Sequence, residues 1–409
     1  MGQGARCGAQ TIFAAGVRAA DARLALAGAL QERPLEPAPG RLLCLAIGKA
    51  AVGMAEVALG RLRPDRIVVV TTYENEAPVA GAEVFAAGHP VPDENGLEAA
   101  RAVEELVRSA GADDHVLVLI SGGASALLPA PVAGLTLDDK RQVNACLLSG
   151  GLDIGQMNLV RQRLSRLKGG GLARLAAPAR VTALVLSDVI GDDLRAVASG
   201  PCAPPLGTNA GARELLVAHG LWDKLPEAAR AVLSRPDAPG TLRAPEAELR
   251  LIGSNALSLQ AMATAAPGAM VFPEPLVGDV AAAARRIVER TGPGTWLFGG
   301  ETTVRLTGDG LGGRNQELAL RVALEAERAG WRAGWVFLSG GTDGRDGPTD
   351  AAGALVDHAT LERIRDAGID PQEALGRNDS YHALKAAGDL LITGATGTNV
   401  ADLQVLMRP

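Results

Sequence analysis

At 409 residues the chain exceeds what one hydrophobic core usually supports, so two domains are expected. Hydrophobic residues at 47% and charged residues at 21% exclude a disordered or fibrous chain, and a formal charge of −6 offers no global field for nucleic acid or an anionic membrane. Fifty-one glycines beside only 3% aromatics, with no repeating period, read as loop backbone rather than low complexity.

Short apolar runs rich in β-branched residues alternate with alanine- and leucine-rich helical stretches. In chain order the pattern predicts strand Leu42–Ile47, helix Lys49–Leu62, strand Ile67–Thr72, helix Gly96–Ala110 and strand Val116–Ile120. Helix Asn158–Lys168, strand Val181–Leu186 and helix Ala212–His219 come next. After a proline-broken stretch come strand Leu249–Ile252, helix Val280–Arg290, strand Trp296–Phe298, helix Gln316–Ala329 and strands Trp335–Leu338 and Leu390–Ile392. The alternation predicts an α/β fold with a mostly parallel sheet. The stretch Ser234–Glu248, with three prolines, is the expected junction between domains 1–240 and 248–409.

The four cysteines, Cys7, Cys44, Cys146 and Cys202, lack any Cys-x-x-Cys spacing, so neither a zinc cage nor a disulfide framework is expected and a cytoplasmic setting fits best. Arg18, Asp21 and Arg23 interrupt the apolar start, so no signal peptide is expected. The longest uncharged runs, His115–Leu137 and Leu251–Pro273, contain serines, glycines and prolines, so no membrane span is expected. The partners expected are small molecules, with no nucleic acid and no membrane; the oligomeric state stays open, a homodimer among the options.

The residues just beyond each strand are more informative. The runs deliver Gly48-Lys49, Ser121-Gly122-Gly123-Ala124-Ser125, Ser187 to Asp193, Gly253-Ser254-Asn255, Gly299-Gly300-Glu301, Ser339 to Gly344, and Thr393 to Asn399. In a parallel sheet the carboxyl ends of the strands share one edge, where such sheets bind ligands. Glycine lets backbone N–H groups approach an anion, and Ser or Thr adds hydroxyl donors. Lys49, placed at a helix start that disfavours a cation, gains its reason from a bound anion. The segment Asn158–Lys168 carries Arg161, Arg163, Arg166 and Lys168 and no acid, a candidate anion clamp or simply a helix end complementing its dipole. Magnesium takes one or two carboxylates plus phosphates and waters, so Asp188, Asp192 and Asp193, or Asp343, Asp346 and Asp350, can supply it; short acidic loops also serve as caps. Arg314, after the glycines Gly308, Gly310, Gly312 and Gly313, suits charge on a transferring phosphoryl group or a carboxylate.

At these residues the chain resembles the glycerate 2-kinase family with a carboxy-terminal MOFRL domain, some bacterial members of which carry the name hydroxypyruvate reductase of tartrate utilisation. The likeness spans nearly the whole chain and rests on Ile47–Ala51, Gly88–Gly96, Ser121–Leu128, Leu186–Asp193, Ala198–Pro201, Gly312–Glu317, Gly341–Gly353, Asn378–Tyr381 and Thr396–Leu403. It departs at Ala124, Ala395 and Cys202–Pro205. The resemblance implies a Rossmann-like amino-terminal domain, a smaller MOFRL-type α/β domain, and an interdomain cleft. It implies ATP-dependent phosphorylation of D-glycerate to 2-phosphoglycerate, with Lys49 and Arg314 catalytic and ATP and Mg²⁺ as cofactors. The nucleotide is then expected on Gly48, Ser121, Gly122, Gly123, Ser125, Gly312, Gly313, Thr396, Gly397, Thr398 and Asn399. Arg161, Lys168, Glu301, Asn315 and Asp343 are expected on the hydroxy acid, and Asp188 and Asp193 on the metal. Two alternatives stay open. A hydroxypyruvate reductase using NAD(P)H needs a dinucleotide fingerprint, and Gly48-Lys49-Ala50-Ala51-Val52-Gly53 lacks the three-glycine spacing. A non-catalytic sensor of a phosphorylated metabolite needs the loops but not Lys49 and Arg314 together.

Overall fold

The structure, a computed structural model, describes residues 2–409. Packing divides the chain into two compact units, Ala25–Ile252 and the segment through Leu24 together with Gly253–Pro409.

The first unit is built on β1 (Leu42–Ile47), β2 (Arg66–Thr72), β3 (Glu83–Ala87), β4 (His115–Ile120), β5 (Arg180–Leu186) and β6 (Glu248–Gly253), in the order β3-β2-β1-β4-β5-β6. Every pairing from β3 through β5 is parallel. Side chains alternate across the pleat, so Leu43, Leu45 and Ile47 of β1 and Val116, Val118 and Ile120 of β4 share a core with Val103 and Leu106 of helix Glu94–Arg108. That helix starts where Asp93 accepts the Gly96 N–H (2.9 Å), a side-chain cap for a free helix-end donor. A separate helical cluster packs Val143 and Leu147 of helix Leu137–Ser149 against Val160 of helix Ile154–Arg163 and Leu216 of helix Asn209–Ala218. Capping boxes fix the first two of these helices: Thr136 with Asp139, and Asp153 with Gln156.

The second unit holds β7 (Met270–Val271), β8 (Leu276–Asp279), β9 (Gly294–Thr303), β10 (Val336–Gly341), β11 (Gly353–Asp357), β12 (Leu390–Leu391) and β13 (Asp402–Arg408). Its order is β12-β11-β10-β13-β9-β7, with β8 also on β9. The expectation of a mostly parallel sheet fails here: β13 runs antiparallel to both β9 and β10, and β11 is antiparallel to β10 and β12. The alternation still gathers the loops. β9 and β10 point the same way, so their carboxyl ends flank the start of β13, pairing Asp402 with Gly300 on one side and Gly341 on the other.

Three local expectations also change. Helix Asn158–Lys168 stops at Arg163, because Ser165 bridges to Pro131 and the Arg166 N–H donates to Ala130 (2.9 Å), pulling the chain out of helical register. The helix expected from Lys49 begins at Ala51. The stretch Ser234–Glu248 joins helix Glu227–Leu233 to β6 inside the first unit, while helix Gly2–Ala19, placed by the sequence in domain 1–240, packs Ala9, Ile12 and Phe13 on Leu338, Leu355 and Val405 of the second.

Candidate active site

In the first unit the loops after β1 and β4 are locked to each other. The Gly48 N–H donates to Val70 (3.0 Å), the Lys49 N–H to Gly122 (2.9 Å), and the Ala50 N–H to the Ser121 hydroxyl (3.1 Å). Gly48 has φ +118°, and a Cβ there would stand 2.5 Å from the Ser121 carbonyl oxygen. Only glycine satisfies both demands. Gly48→Ala is therefore expected to cost about 3 kcal/mol or more, strain plus a backbone collision, and a urea midpoint close to that of the native chain would contradict it.

Gly122 approaches Asp188 so closely that a Cβ would lie 2.3 Å from its Oδ2, and Gly123 lies beside both Lys49 and His89. Lys49, His89 and Asp188 are thus gathered around one loop. Burial pushes the Asp188 carboxyl up, with Lys49 pulling the other way; burial and then the Lys49 charge hold the His89 imidazole down.

Beside this loop lies a cavity of about 220 Å³ lined by Lys140, Arg161, Lys168, Ser125, Asn144 and His89 among others. No carboxylate occurs among the described residues lining it. Lys140 and Asn144 sit one turn apart on helix Leu137–Ser149, hence on one face; Arg161 comes from the end of helix Ile154–Arg163. The Arg161 guanidinium donates twice to Asn144 Oδ1 (2.5 and 3.1 Å). Lys168 Nζ donates to the Ser125 carbonyl (2.6 Å) and hydroxyl (2.7 Å), and that hydroxyl meets Ser199 at 2.8 Å. Lys140, 9% exposed, reaches only the Leu164 carbonyl (3.3 Å) among the described residues. Burial, reinforced by Arg161, pushes its ammonium down to about 7, and burial with Lys140 and Arg161 holds Lys168 well below the ordinary lysine range. Two buried lysines and a half-buried arginine, with no acid among the lining residues, form a site that a small anion relieves.

Asp193 stands apart from that arrangement. Arg195 engages both its oxygens (2.9, 3.2 and 2.8 Å), and the described residues hold no group of three or more His, Cys, Asp or Glu arranged for a metal ion. Of the expected pair, Asp188 lies against Gly122 beside Lys49, whereas Asp193 is paired with Arg195.

In the second unit Arg314 opens helix Arg314–Arg328 and meets Asp402 as a fork, Nε to Oδ2 at 2.7 Å and a second nitrogen to Oδ1 at 3.0 Å. Its remaining nitrogen pairs with Glu301 at 2.8 Å. Burial works against the charge, but the hydrogen bonds from Arg314 to Asp402 outweigh it and hold the guanidinium above its ordinary value. Asp402 itself is 0% exposed. Asp346 caps the same helix, accepting the N–H groups of Asn315 (3.0 Å) and Gln316 (2.8 Å), and burial pushes its carboxyl up to about 6. Asn315 points inward, accepting from Ser339 at 2.6 Å.

The other expected contacts have partners of their own. The loop carrying Gly312 and Gly313 packs on Ser380 and Asp346, and its neighbours bond Arg377, Asp379 and Tyr381. Thr396 donates to the Thr342 carbonyl (2.5 Å), Thr398 to Ala20, and Asn399 accepts from Ala401 (3.1 Å), while Gly397 turns with φ +74°. Asp343 accepts from the Arg345 N–H (2.9 Å). These contacts lace the carboxyl end of β10 to the start of β13.

Sequence reading missed Lys140, Asn144 and His89 in the cavity and Asp402 beneath Arg314. Lys140 lies in Leu137-Asp138-Asp139-Lys140-Arg141, which looks like a solvated helix start; its spacing to Asn144 was the available signal.

Comparison with known proteins gives a consistent picture. Residues 8–234 match the family model described as "Domain of unknown function (DUF4147)" and residues 294–402 match the MOFRL family. The chain is 41% identical to an Agrobacterium vitis protein provisionally named a hydroxypyruvate reductase, over 97% of this chain and 93% of that one. It is 40% identical to the D-glycerate 2-kinase of Thermotoga maritima, over 89% of each. The crystal structure of a Thermotoga maritima glycerate kinase superposes with a TM-score of 0.88 at 38% identity, covering 97% of this chain and 98% of that one. The chain therefore belongs to the glycerate 2-kinase family.

Proposed function

We propose that this chain transfers the γ-phosphoryl group of ATP to the C2 hydroxyl of D-glycerate, giving 2-phosphoglycerate and ADP. The observation that carries the reading is the first unit's cavity, small, cationic and without a carboxylate in its lining, beside a glycine loop and Lys49. The carboxylate of glycerate pairs there with Lys140 and Arg161, which discharges buried positive charge. Lys168, clamped on Ser125, keeps the loop that carries Ser121, Gly122 and Gly123 in place. Lys49 offsets negative charge on phosphate, and Arg314, held by Asp402 and Glu301, is the second catalytic residue that the family resemblance implies. Asp188 would hold a Mg²⁺, which would supply neutralisation of the charge on the phosphates. A loose phosphoryl-transfer transition state makes little demand for a strong base.

All four cysteines are free, which supports a reducing, cytoplasmic setting. No helix among the described residues is long and apolar enough to cross a membrane. Purified protein given Mg-ATP and D-glycerate is expected to release ADP and to form a product that enolase accepts without phosphoglycerate mutase. Oxidation of NADH with hydroxypyruvate, and no ADP with glycerate, would replace this reading with a reductase.

A further inference from the structure

The basic segment 158–168 holds more positive charge than the first cavity uses. Arg161 and Lys168 face that cavity, whereas Arg163 and Arg166, between them in sequence, line a second one of about 460 Å³ with which it shares no lining residue. Arg108, Arg174 and Arg235 also line the second cavity, so five arginines face a single carboxylate, Asp237.

The pairing of these groups leaves charge unspent. Asp237 binds Arg163 at 3.1 Å and is also held by the Asn209 N–H (3.2 Å to each oxygen). Arg166 is taken by Glu104 at 2.7 Å. Among the described residues Arg174 finds only carbonyl oxygens, Gly169 at 2.8 Å and Arg243 at 3.5 Å. The side chains of Arg108 and Arg235 have no hydrogen-bond or ion-pair partner among the described residues. Arg163 is 8% exposed, and its Nε is buried with no hydrogen-bond partner among the described residues. Buried, unsatisfied guanidinium donors are costly unless something accepts from them. Three of the five, Arg108, Arg174 and Arg235, have no acidic partner among the described residues.

We propose that this cavity is a second anion-binding site, one that takes a phosphorylated metabolite bearing at least two phosphate groups. Planar guanidinium forks match phosphate oxygens two at a time, and several converging forks favour a multivalent ligand over a single carboxylate. Val132, Leu175 and Val232 give the lining an apolar side for a carbon skeleton. The site does not depend on what the first cavity binds.

The test uses the full chain with sodium tripolyphosphate as probe, read by titration calorimetry at two salt concentrations. Binding is expected in the native chain, weakened about tenfold or more in Arg174→Gln/Arg235→Gln and weakened by added salt, as for any contact with released counterions. Lys140→Met, which alters only the first cavity, is expected to leave it within about twofold. Far-UV circular dichroism and ADP release with glycerate confirm that the double variant is folded; the single variant Arg235→Gln, at an exposed position, is expected to show an intermediate loss. Absence of binding in the native chain overturns the proposal. So does a loss caused by Lys140→Met rather than by the arginine variants. Citrate binding as tight as tripolyphosphate overturns the assignment to phosphates.

Discussion

Arg314→Ala is expected to stop turnover and to destabilise the chain at once. The guanidinium is the partner of a carboxylate with no exposure, and removing one member of such a pair costs about 3–5 kcal/mol because a charge is left buried alone. Arg314 is itself 35% exposed, so the lower end of that range applies. The loss of charge at the transferring phosphoryl is expected to slow ADP formation by about 10³-fold or more. The two effects separate in a cycle. Asp402→Asn added to Arg314→Ala removes the orphaned charge and is expected to restore most of the urea midpoint while leaving turnover lost. If the double variant regains activity, Arg314 serves only to neutralise Asp402 and the role proposed for it is wrong.

Lys140→Met is expected to act in opposite directions on stability and on function. The lysine titrates at about 7 in the fold and near 10.5 in the unfolded chain. Below pH 7 both states are charged and the fold bears the whole cost of burying the ammonium. Between pH 7 and 10.5 the unfolded chain binds more protons, so stability rises with pH. Methionine removes that cost, and the variant is expected to gain a few kcal/mol at pH 6 and much less at pH 10. Its KM for glycerate is expected to rise by about 10²-fold with a smaller change in kcat, because the lost contact is made equally with ground state and transition state. In the native chain the same titration makes affinity for glycerate fall as pH rises past 7, displaced upward when the anion is bound. A flat KM between pH 6 and 9 together with a stability unchanged by the substitution would remove Lys140 from the site.

The sequence revealed the parallel sheet of the first unit well, since its strands are apolar on both faces and their loops come at once. It also brought out Gly48, Lys49, Ser121, Ser125, Arg161 and Lys168, whose residue types suit anions and which the fold does gather. The second sheet was harder. β13 carries Gln404 among apolar residues, and β11 is only five residues long, so neither offered a periodic run, yet their antiparallel insertion decides which groups surround Arg314. Pairing across long sequence separations was equally hidden: Arg314 and Asp402 are 88 positions apart, and nothing local marks Asp402 as the acid that holds the fork. Asp193 shows the reverse, where a neighbour two residues away, Arg195, engages a carboxylate that composition alone offered to a metal.

Helix Gly2–Ala19 has its partners in the last part of the chain. Ser258 bonds Gly16, Arg6 pairs with Asp357 and Asp389, and Thr398 reaches Ala20 across 378 positions. During synthesis this helix leaves the ribosome long before its docking surface is complete. At about 5–20 residues per second the interval is roughly 20–75 s, during which Ala25–Ile252 can close into its own core. Over that interval Ile12 and Phe13 lack the surface that buries them.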